Sequence, residues 1–515
     1  MENTKGKKFT KGGMLAYFLR GCRLLFAASI ISGLIVTFIN VVIPQVISFT
    51  VDSVIGEEQP QGVAGWLAGL FGGVQAVRGR LWVPAVAVLA LALVMAVFQY
   101  CALYLNHRAN QSLMRGMRNG LFRHIQRLPA GWHSKHSTGD IIQRCTSDAD
   151  VISNFVSNQL YQLVRIIILL VLSLALMFAM DVELALIAAA FIPLLVGYSL
   201  FFYARAGKSF RKCDEEEGVL STIAQENLTG VRVVRAFGRE RCERDKFEKQ
   251  NVYYTGLWVR IERFLAAYWT TNDFLSALQC MLLIVVGTVF CLRGQITAGD
   301  LVAFISYNTM LMGPVRQLGR IISGMSRAGV SIGRIAEIMN AEEESYGEAG
   351  ELSGDICFND VSFEYEAGKP VLSGVSFTVP QGGTLGIIGG TGSGKSTLMY
   401  LLDGLYAPTG GHITIGGRDI SEIPNATLRA NIGFVLQEGY LYTGTVRENI
   451  AAASQSGDLQ SVRRAASAAC VDENVSSFPS GYETVVGERG VTLSGGQKQR
   501  VSIARTLLRK TPYLI

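Results

Sequence analysis

The C-terminal part of the sequence contains one stretch that decides its fold: Ile387-Ile388-Gly389-Gly390-Thr391-Gly392-Ser393-Gly394-Lys395-Ser396-Thr397. The pattern predicts a short apolar strand, a glycine turn and a helix that begins near Lys395. Gly389, four further residues and Gly394-Lys395-Ser396 match the pattern G-x-x-x-x-G-K-[ST] of phosphate-binding loops. Glycines let several backbone N–H groups point at one anion, and the helix N-terminus adds unpaired N–H groups and a positive dipole end. The alternative is a glycine turn without a ligand, against which the flanking strand and helix argue.

A second stretch follows about a hundred residues later: Leu493-Ser494-Gly495-Gly496-Gln497, before the helical run 501–508. Ser494 is a favourable N-cap, and the two glycines leave backbone N–H groups open to an anion. With these two motifs the chain resembles the ATP-binding cassette (ABC) transporters, whose signature is LSGGQ. In that family the signature of one nucleotide-binding domain closes on ATP that is held by the phosphate loop of another.

The resemblance implies ATP and Mg²⁺ as ligands and assigns roles to single residues. Lys395 would reach the β- and γ-phosphates. Tyr365, in Val361-Ser362-Phe363-Glu364-Tyr365, matches the aromatic residue that stacks on adenine, although an ordinary strand tyrosine is the alternative. Gln437 matches the glutamine that contacts Mg²⁺ and the attacking water. We expect Lys395 and Gln437 to be catalytic and Ser396 and Gln437 to hold the metal. The expected nucleotide-binding residues are Tyr365, Gly389, Gly390, Thr391, Gly392, Ser393, Gly394, Lys395, Ser396, Thr397, Gln437, Ser494, Gly495, Gly496 and Gln497.

The composition indicates a membrane protein. The 515 residues are 49% hydrophobic and 17% charged, against about 25% charged residues in ordinary soluble domains. The net charge of +6 is modest, and no basic stripe interleaved with aromatic residues suggests nucleic acid as a partner. The nine cysteines are scattered without a C-x-x-C pair, which favours reduced core residues.

Six apolar segments have about the length that a membrane-spanning helix needs. They cover residues 24–49, 82–105, 162–180, 183–203, 274–292 and 301–322, and the third and fourth are joined by a tight turn at Asp181. The first is too long for a signal peptide and lacks a small-residue cleavage site. Basic residues cluster at the N-terminus (Lys5, Lys7, Lys8 and Lys11) and in two long loops, 106–160 and 204–272. With six spans, all of these lie on one side, which identifies that side as the cytoplasm.

The two long loops are expected to be helices that continue from the spans and turn back. The run 137–150, from Ser137-Thr138-Gly139-Asp140 onward, resembles the first intracellular coupling loop of exporter-type members. The run 226–237, from Glu226-Asn227-Leu228-Thr229 onward, resembles the stretch that leads out of the second. The alternative is a pair of solvated amphipathic helices. A stiff lever is required physically, because hydrolysis in the cytosol has to move helices in the membrane.

We predict three parts: an all-α transmembrane domain at 1–322, a polar linker at 323–354 and an α/β P-loop ATPase domain at 355–515. Within the last, strands are expected at 356–365, 371–379, 411–417 and 432–437. Residues 486–490 resemble the exporter loop that touches the coupling helices.

The final residues, 512–515, resemble the start of the strand that carries the Mg²⁺-binding aspartate and the catalytic glutamate. The sequence contains neither of these, and none of its five histidines follows the signature. We therefore expect an incomplete ATPase domain, with a truncated gene model or fragment favoured over a short chain that turns ATP over poorly.

These observations predict an exporter-type half-transporter in the plasma membrane, with its N-terminus and ATPase domain in the cytoplasm. It would work as a homo- or heterodimer and export or flip a hydrophobic or amphipathic substrate by alternating access. One alternative is an ATP-binding, hydrolysis-deficient subunit of a heterodimer. The other, a soluble ABC ATPase of repair or translation, conflicts with the six spans. The spans carry almost no central charge, apart from Arg165 near one end of the third. Phe304, Tyr307, Met310 and Met312 would line an apolar path for lipids or drugs or, as we favour, face the lipid or pack between helices.

Overall fold

The computed structural model describes residues 9–56, 59, 65, 66, 68, 69, 73–80, 82–454, 457–487 and 493–515. The expectations for Lys5, Lys7, Lys8 and residues 488–490 therefore lie outside the described residues. The chain forms two compact units. The first unit comprises Met1–Arg123 and Gly139–Asn340, and the second unit comprises His124–Thr138 and Ala341–Ile515.

The described part of the first unit is helical. Its α-helices are α1 (Lys11–Leu19), α2 (Arg23–Phe49), α3 (Val74–Arg78), α4 (Trp82–Ile125), α6 (Thr138–Gln143), α7 (Ala149–Asn154), α8 (Tyr161–Met180), α9 (Val182–Thr229), α10 (Val231–Ala236), α11 (Glu240–Leu292) and α12 (Ala298–Met339). Three π-helical segments interrupt this series at Thr50–Ile55, Arg144–Asp148 and Phe155–Leu160. Helix α5 (Ala130–Lys135) belongs to the second unit.

Five continuous helical segments among the described residues are long and apolar enough to cross a membrane. They are Arg23–Ile55, Trp82–Ile125, Thr138–Met180, Val182–Thr229 and Glu240–Leu292. Each contains one of the first five predicted spans. The sixth predicted span, 301–322, lies within α12, which does not meet the same criterion of length and hydropathy. The six-span count therefore stays a prediction. Helix α12 also continues to Met339, into the residues predicted as a linker.

The turn between α8 and α9 forms at Asp181, as the sequence predicts. Asp181 is the N-cap of α9, and its Oδ1 accepts a hydrogen bond from the N–H of Leu184 at 2.7 Å. This local bond satisfies one of the unpaired donors at the start of the helix. Helices α4, α9 and α11 have 44, 48 and 53 residues, more than a membrane crossing requires. The prediction that these spans continue as long helices is confirmed.

Asp52 joins the far end of the first apolar segment to the start of α12. Its carboxylate accepts hydrogen bonds from the N–H of Gly299 and the hydroxyl of Thr297, both at 2.6 Å. A Cβ on Gly299 would lie 2.4 Å from Asp52 Oδ2, so only glycine permits this approach. Deeper in the unit, Tyr307 is fully buried and donates to the carbonyl of Val41 at 2.8 Å. Tyr307 therefore packs between helices, as favoured from the sequence.

The second unit contains α5 and small sheets with helices. Its strands are β1 (Ile356–Glu364), β2 (Pro370–Val379), β3 (Gly410–Ile415), β4 (Arg418–Asp419), β5 (Ile432–Gly433), β6 (Gly444–Thr445), β7 (Val485–Val486) and β8 (Tyr513–Leu514). Its further helices are α13 (Lys395–Leu402), α14 (Asn425–Asn431), α15 (Val446–Ala451), α16 (Leu459–Ala468), α17 (Asp472–Ser476) and α18 (Gly495–Leu508). An antiparallel sheet has the order β2-β1-β3-β4, while β5 and β8 pair in parallel and β6 and β7 antiparallel.

The second unit contains two hydrophobic clusters. One lies between the four-stranded sheet and α13 and includes Phe358, Val361, Leu401 and Ile413. The other lies among α15, α16 and α18 and includes Leu441, Val462, Val501 and Ala504. The phosphate loop therefore borders the first cluster and the signature borders the second.

The strand predicted to lead into the phosphate loop does not form. Residues 383–390 are in no strand, and the side chain of Ile388 is 99% exposed. A strand requires a neighbour for its backbone N–H and C=O groups. Among the described residues, β1 pairs with β2 and β3, and β5 pairs with β8, so no strand lies beside 383–390. The side chains at 387–388 are of a type that favours a strand, but the sequence pattern does not show whether a neighbouring strand is present to pair with them.

Candidate functional site: the phosphate loop and its surroundings

The phosphate loop has the backbone that its glycines permit. Helix α13 begins at Lys395, as predicted, and its N-cap Gly394 has a φ of 86°. Gly392 has a φ of 84°. These left-handed values favour glycine. A Cβ on Gly394 would also lie 2.7 Å from Leu372 Cδ2 and 3.2 Å from the carbonyl oxygen of Val371. The packing of β2 against the loop thus demands glycine at this position.

The ammonium of Lys395 lies over the loop. It donates hydrogen bonds to the carbonyl oxygens of Gly389 and Gly390, at 2.8 and 2.6 Å, and to the hydroxyl of Ser393 at 3.3 Å. The ammonium is therefore held against the loop by neutral acceptors, at the N-terminus of α13. Phosphate oxygens could replace these neutral acceptors at little cost, because hydrogen bonds between ionised groups are the stronger ones.

Tyr365 lies directly beside α13. Its hydroxyl is 3.1 Å from Oγ1 of Thr397, two residues after the loop lysine. The ring also meets Phe363 and Tyr406 edge-on, at centroid distances of 4.8 and 5.2 Å. The side chain stays 43% exposed, so part of the ring is available for stacking. The stacking role that the resemblance implies for Tyr365 stays a prediction.

A groove of about 880 Å³ brings Lys395, Ser396 and Gln437 together. Gln437 follows β5, whose parallel pairing with β8 is extended by a hydrogen bond from Val435 N–H to the carbonyl of Ile515 at 2.8 Å. The predicted strand at 432–437 is thus short, but it delivers the glutamine to the same groove as the loop. Ser396 and Gln437 are both exposed there.

The signature opens α18, as predicted. Ser494 is the N-cap: its hydroxyl accepts from the N–H of Gln497 at 3.3 Å. Gln497 in turn accepts from the N–H of Ser494 through Oε1 at 2.9 Å, which completes a capping box. This reciprocal role of Gln497 was not inferred from the sequence, although the spacing S-x-x-Q carries that signal. Neither Gly495 nor Gly496 lines the groove that holds Lys395. Of the predicted nucleotide-binding residues, Lys395, Ser396 and Gln437 line this groove, whereas Tyr365, Thr397 and the runs 389–394 and 494–497 are not among its lining residues.

Residues 124–138, here called the coupling turn, pack in the second unit. Nδ1 of His124 is 2.8 Å from Oε1 of Glu343, and Arg127 pairs with the other carboxylate oxygen at 3.4 Å. The N–H of Glu344 also donates to the carbonyl of Arg127 at 2.8 Å. A Cβ on Gly131 would lie 3.7 Å from Tyr406. Sequence analysis missed these contacts, because the acidic run 342–344 has the composition of a linker and its partners lie more than two hundred residues earlier.

Asp403, the C-cap residue of α13, carries a buried carboxylate. Burial raises the pKa of Asp403 to about 6, although Arg429 and Arg509 attract its charged form. Arg429 is itself engaged by both carboxylate oxygens of Glu344, at 2.7 and 2.8 Å. The negative charge of Glu344 also raises the pKa of Asp403 and so opposes the effect of Arg429. This network joins α13 and α14 to the chain that leads out of α12.

The residues present fit Mg-ATP. The backbone of 389–393 is exposed, and Lys395 and Ser396 stand at the N-terminus of α13, where an anion is favoured. Ser396 and Gln437 face the same groove and would offer neutral oxygen ligands to Mg²⁺, whose charge would offset that of the phosphates. Tyr365 would hold the base from the side of Thr397.

Comparisons with known proteins agree with this geometry. Residues 26–315 match the family model described as "ABC transporter transmembrane region", and residues 372–515 match the model "ABC transporter". The chain is 33% identical to the uncharacterized ABC transporter ATP-binding protein YknU of Bacillus subtilis over 96% of this chain and 82% of the relative. It is 32% identical to the ATP-dependent lipid A-core flippase of Aromatoleum aromaticum, over 95% and 81%. It is 31% identical to the fatty acid ABC transporter ATP-binding/permease protein of Mycobacterium bovis, over 96% and 82%.

The fold has also been solved in another protein. A bacterial Atm1-family ABC exporter with ATP bound superposes with a TM-score of 0.76, covering 96% of this chain and 85% of that one. At 24% identity this likeness shows the fold alone. The matched membrane region, the matched ATPase region and the phosphate loop with its signature lead to one conclusion. The chain belongs to the ABC transporter family and is a multi-pass membrane protein with the exporter fold.

Proposed function

We propose that this chain is one half of an ATP-driven exporter that moves a hydrophobic or amphipathic molecule out of the cytoplasm or between membrane leaflets. The observation that carries the proposal is the phosphate loop. Gly394 has a φ of 86°, and the ammonium of Lys395 donates a hydrogen bond to the carbonyl of Gly389 in the loop. Ser396 and Gln437 complete the groove as the proposed Mg²⁺ ligands. Lys395 binds the β- and γ-phosphates, and Gln437 orients the water that attacks the γ-phosphate.

A second half-transporter is required in this proposal. Ser494 caps α18 and Gly495 begins it, and neither residue lines the groove that contains Lys395. Their open N–H groups at a helix N-terminus suit a phosphate that is held by another chain. Two chains arranged head to tail then form two composite sites, each with the loop of one and the signature of the other. The proposal holds equally for a homodimer and a heterodimer.

The coupling turn supports transmission between the nucleotide site and the membrane helices. It packs against Glu343 and Glu344 and follows α4, one of the helices apolar enough to span. We further propose six spans, with α12 supplying the sixth, and both chain ends on the cytoplasmic side. ATP-driven association of two ATPase domains would then expose the substrate path between the membrane helices alternately to the two sides of the membrane.

The two named relatives that act on lipid A-core and fatty acid support an amphipathic substrate.

Turnover of ATP by the purified, membrane-reconstituted chain tests the proposal. Lys395→Ala removes the phosphate-binding ammonium, and we expect it to abolish hydrolysis while insertion into the membrane is retained. Lys369→Ala is the matched control, because Lys369 is an exposed lysine of the same unit whose ion-pair partner within the described part of the chain is nearby Glu366, at 2.7 Å. Hydrolysis that survives Lys395→Ala would refute the assignment of the loop. No hydrolysis in the unaltered chain, restored by a second, different half-transporter, would favour the hydrolysis-deficient alternative.

A further inference from the structure

A cavity of about 390 Å³ lies within the first unit, between three of its helices. Thr37 and Asn40 of α2, Gln162 and Arg165 of α8 and Gln317 of α12 form its polar lining. All three helices carry predicted spans, and two of them are apolar enough to cross a membrane by length and hydropathy. A polar cavity between such helices needs a physical reason, because polar groups are costly in hydrocarbon.

Arg165 is the only ionisable residue of this lining. It is half-buried, and the rest of α8 after it, residues 166–180, contains no charged side chain. Among the described residues, no ion pair or side-chain hydrogen bond engages its guanidinium. Arg316, on α12, provides a contrast, since it pairs with Asp273 at 2.5 Å. The protein therefore neutralises one arginine of this region and leaves the one that faces the cavity without a carboxylate.

Most of the other polar side chains that line the cavity also make no side-chain hydrogen bond within the described residues. Within the described chain, the amides of Asn40, Gln162 and Gln317 make no side-chain hydrogen bond. Only Thr37 is engaged, donating to the carbonyl of Gly33 at 2.9 Å. Three amides and one guanidinium can together supply many N–H donors to one acceptor group. Such a convergence around a single positive charge is suited to an oxyanion.

The remaining lining residues, here called the apolar wall, are hydrophobic. Ile166 and Leu169 of α8 and Met310 of α12 complete the cavity with hydrocarbon and a thioether. Phe304 and Tyr307, which were considered as path-lining residues from the sequence, are fully buried between helices. Met310, considered with them, lines the cavity. Methionine adapts its shape to flexible apolar chains. The cavity lining thus combines a cation and several hydrogen-bond donors with an adaptable apolar wall.

We propose that this cavity binds the headgroup of an anionic amphiphile, with Arg165 pairing the carboxylate or phosphate and the apolar wall receiving the start of the acyl chain. The inference rests on the proposed export function, because it names the substrate class of that transporter. An arginine fork and a carboxylate or phosphate match geometrically, which an alcohol or a quaternary ammonium cannot imitate. Uncharged amphiphiles of equal chain length are therefore expected to bind more weakly.

Photo-labelling of the full chain in phosphatidylcholine nanodiscs, without nucleotide, tests the proposal. The probes are a diazirine-bearing fatty acid and the matching fatty alcohol, and the labelled peptides are mapped. We expect the acid to label peptides of α8 and α12 about tenfold more than the alcohol at equal concentration, because a charged hydrogen-bonded pair is lost with the alcohol. Phosphatidic acid should compete, whereas inorganic phosphate alone should not, which identifies the amphiphile rather than the free anion.

Variants locate the effect. Arg165→Gln should reduce acid labelling about tenfold and leave alcohol labelling unchanged, while Arg165→Lys, which keeps the charge but loses the fork, should give acid labelling between that of Arg165→Gln and that of the unaltered chain. Arg293→Gln is the matched control, since Arg293 is exposed at the end of α11 and does not line the cavity. Equal labelling by acid and alcohol in the unaltered chain overturns the proposal even if Arg165→Gln fails to fold. Because the assay contains no ATP, failure of the export function and failure of this site give different results.

Discussion

The two capping boxes of the second unit allow stability and function to be separated at the signature. At α18, Ser494 accepts from Gln497 N–H at 3.3 Å and Gln497 accepts from Ser494 N–H at 2.9 Å. At α15, Thr445 accepts from Glu448 N–H at 3.0 Å and Glu448 accepts from Thr445 N–H at 2.8 Å. Ser494→Ala and Thr445→Ala therefore remove the same kind of cap, and each is expected to cost about 1 kcal/mol of stability.

The two variants should differ in ATP turnover. If the signature of one chain contacts the phosphates held by another, Ser494→Ala also removes a hydroxyl donor to a charged group, worth about 1.5–3 kcal/mol. That corresponds to a loss of turnover on the order of tenfold to a hundredfold at saturating ATP. Thr445→Ala should change turnover less than about twofold, since its cap faces no phosphate site in the proposal.

The assay is ATP hydrolysis by reconstituted protein, with melting temperature measured on the same samples. Co-reconstitution of Ser494→Ala with Lys395→Ala provides the decisive mixture. In a head-to-tail dimer of these two chains, one composite site keeps both an intact loop and an intact signature, so part of the turnover should return. Equal loss of turnover in Ser494→Ala and Thr445→Ala, with equal loss of melting temperature, would refute the composite site and leave Ser494 as a helix cap only.

Two further predictions concern the loop and its helix. Tyr365→Ala should weaken ATP binding several-fold by removing a stacking ring, whereas Tyr365→Phe should keep the affinity although it loses the 3.1 Å contact with Thr397; equal affinities for all three proteins, measured with a fluorescent ATP analogue, would contradict the stacking role. For Asp403, the ordinary pKa of 3.8 is raised to about 6 by burial, so the folded chain binds the extra proton and gains stability as the pH falls from about 6 towards 4. Asp403→Asn should remove this dependence and stabilise the chain near pH 7 by at most about 3 kcal/mol; a melting temperature whose pH profile is unchanged by Asp403→Asn would show that the carboxylate is not the titrating group.

Features set by neighbouring residues could be read from the sequence. The start of α13 at Lys395, the N-cap role of Ser494 and the turn at Asp181 all appear where the residues predict them. Each depends on hydrogen bonds between positions three or four apart, or on a backbone angle that only glycine readily adopts. The apolar helices are equally local, because their length and composition alone decide whether they can cross a membrane.

Features set by distant residues could not be read in this way. The strand expected at 387–388 is absent, because a strand needs a hydrogen-bonding neighbour and not only β-forming side chains. Tyr365 contacts Thr397 and Glu343 contacts His124 through packing that brings separate segments together. The cavity around Arg165 likewise exists only where three helices meet.

The sequence by itself thus determined the family, the phosphate loop, the signature and most of the helical spans, because these are written in short motifs and in composition. The tertiary structure decided that Lys395, Ser396 and Gln437 line one groove, and that Arg165, which has no ion pair among the described residues, faces a polar cavity. The physical reason is that motifs depend on the local backbone, whereas sites depend on contacts whose partners are fixed only when the helices and sheets pack.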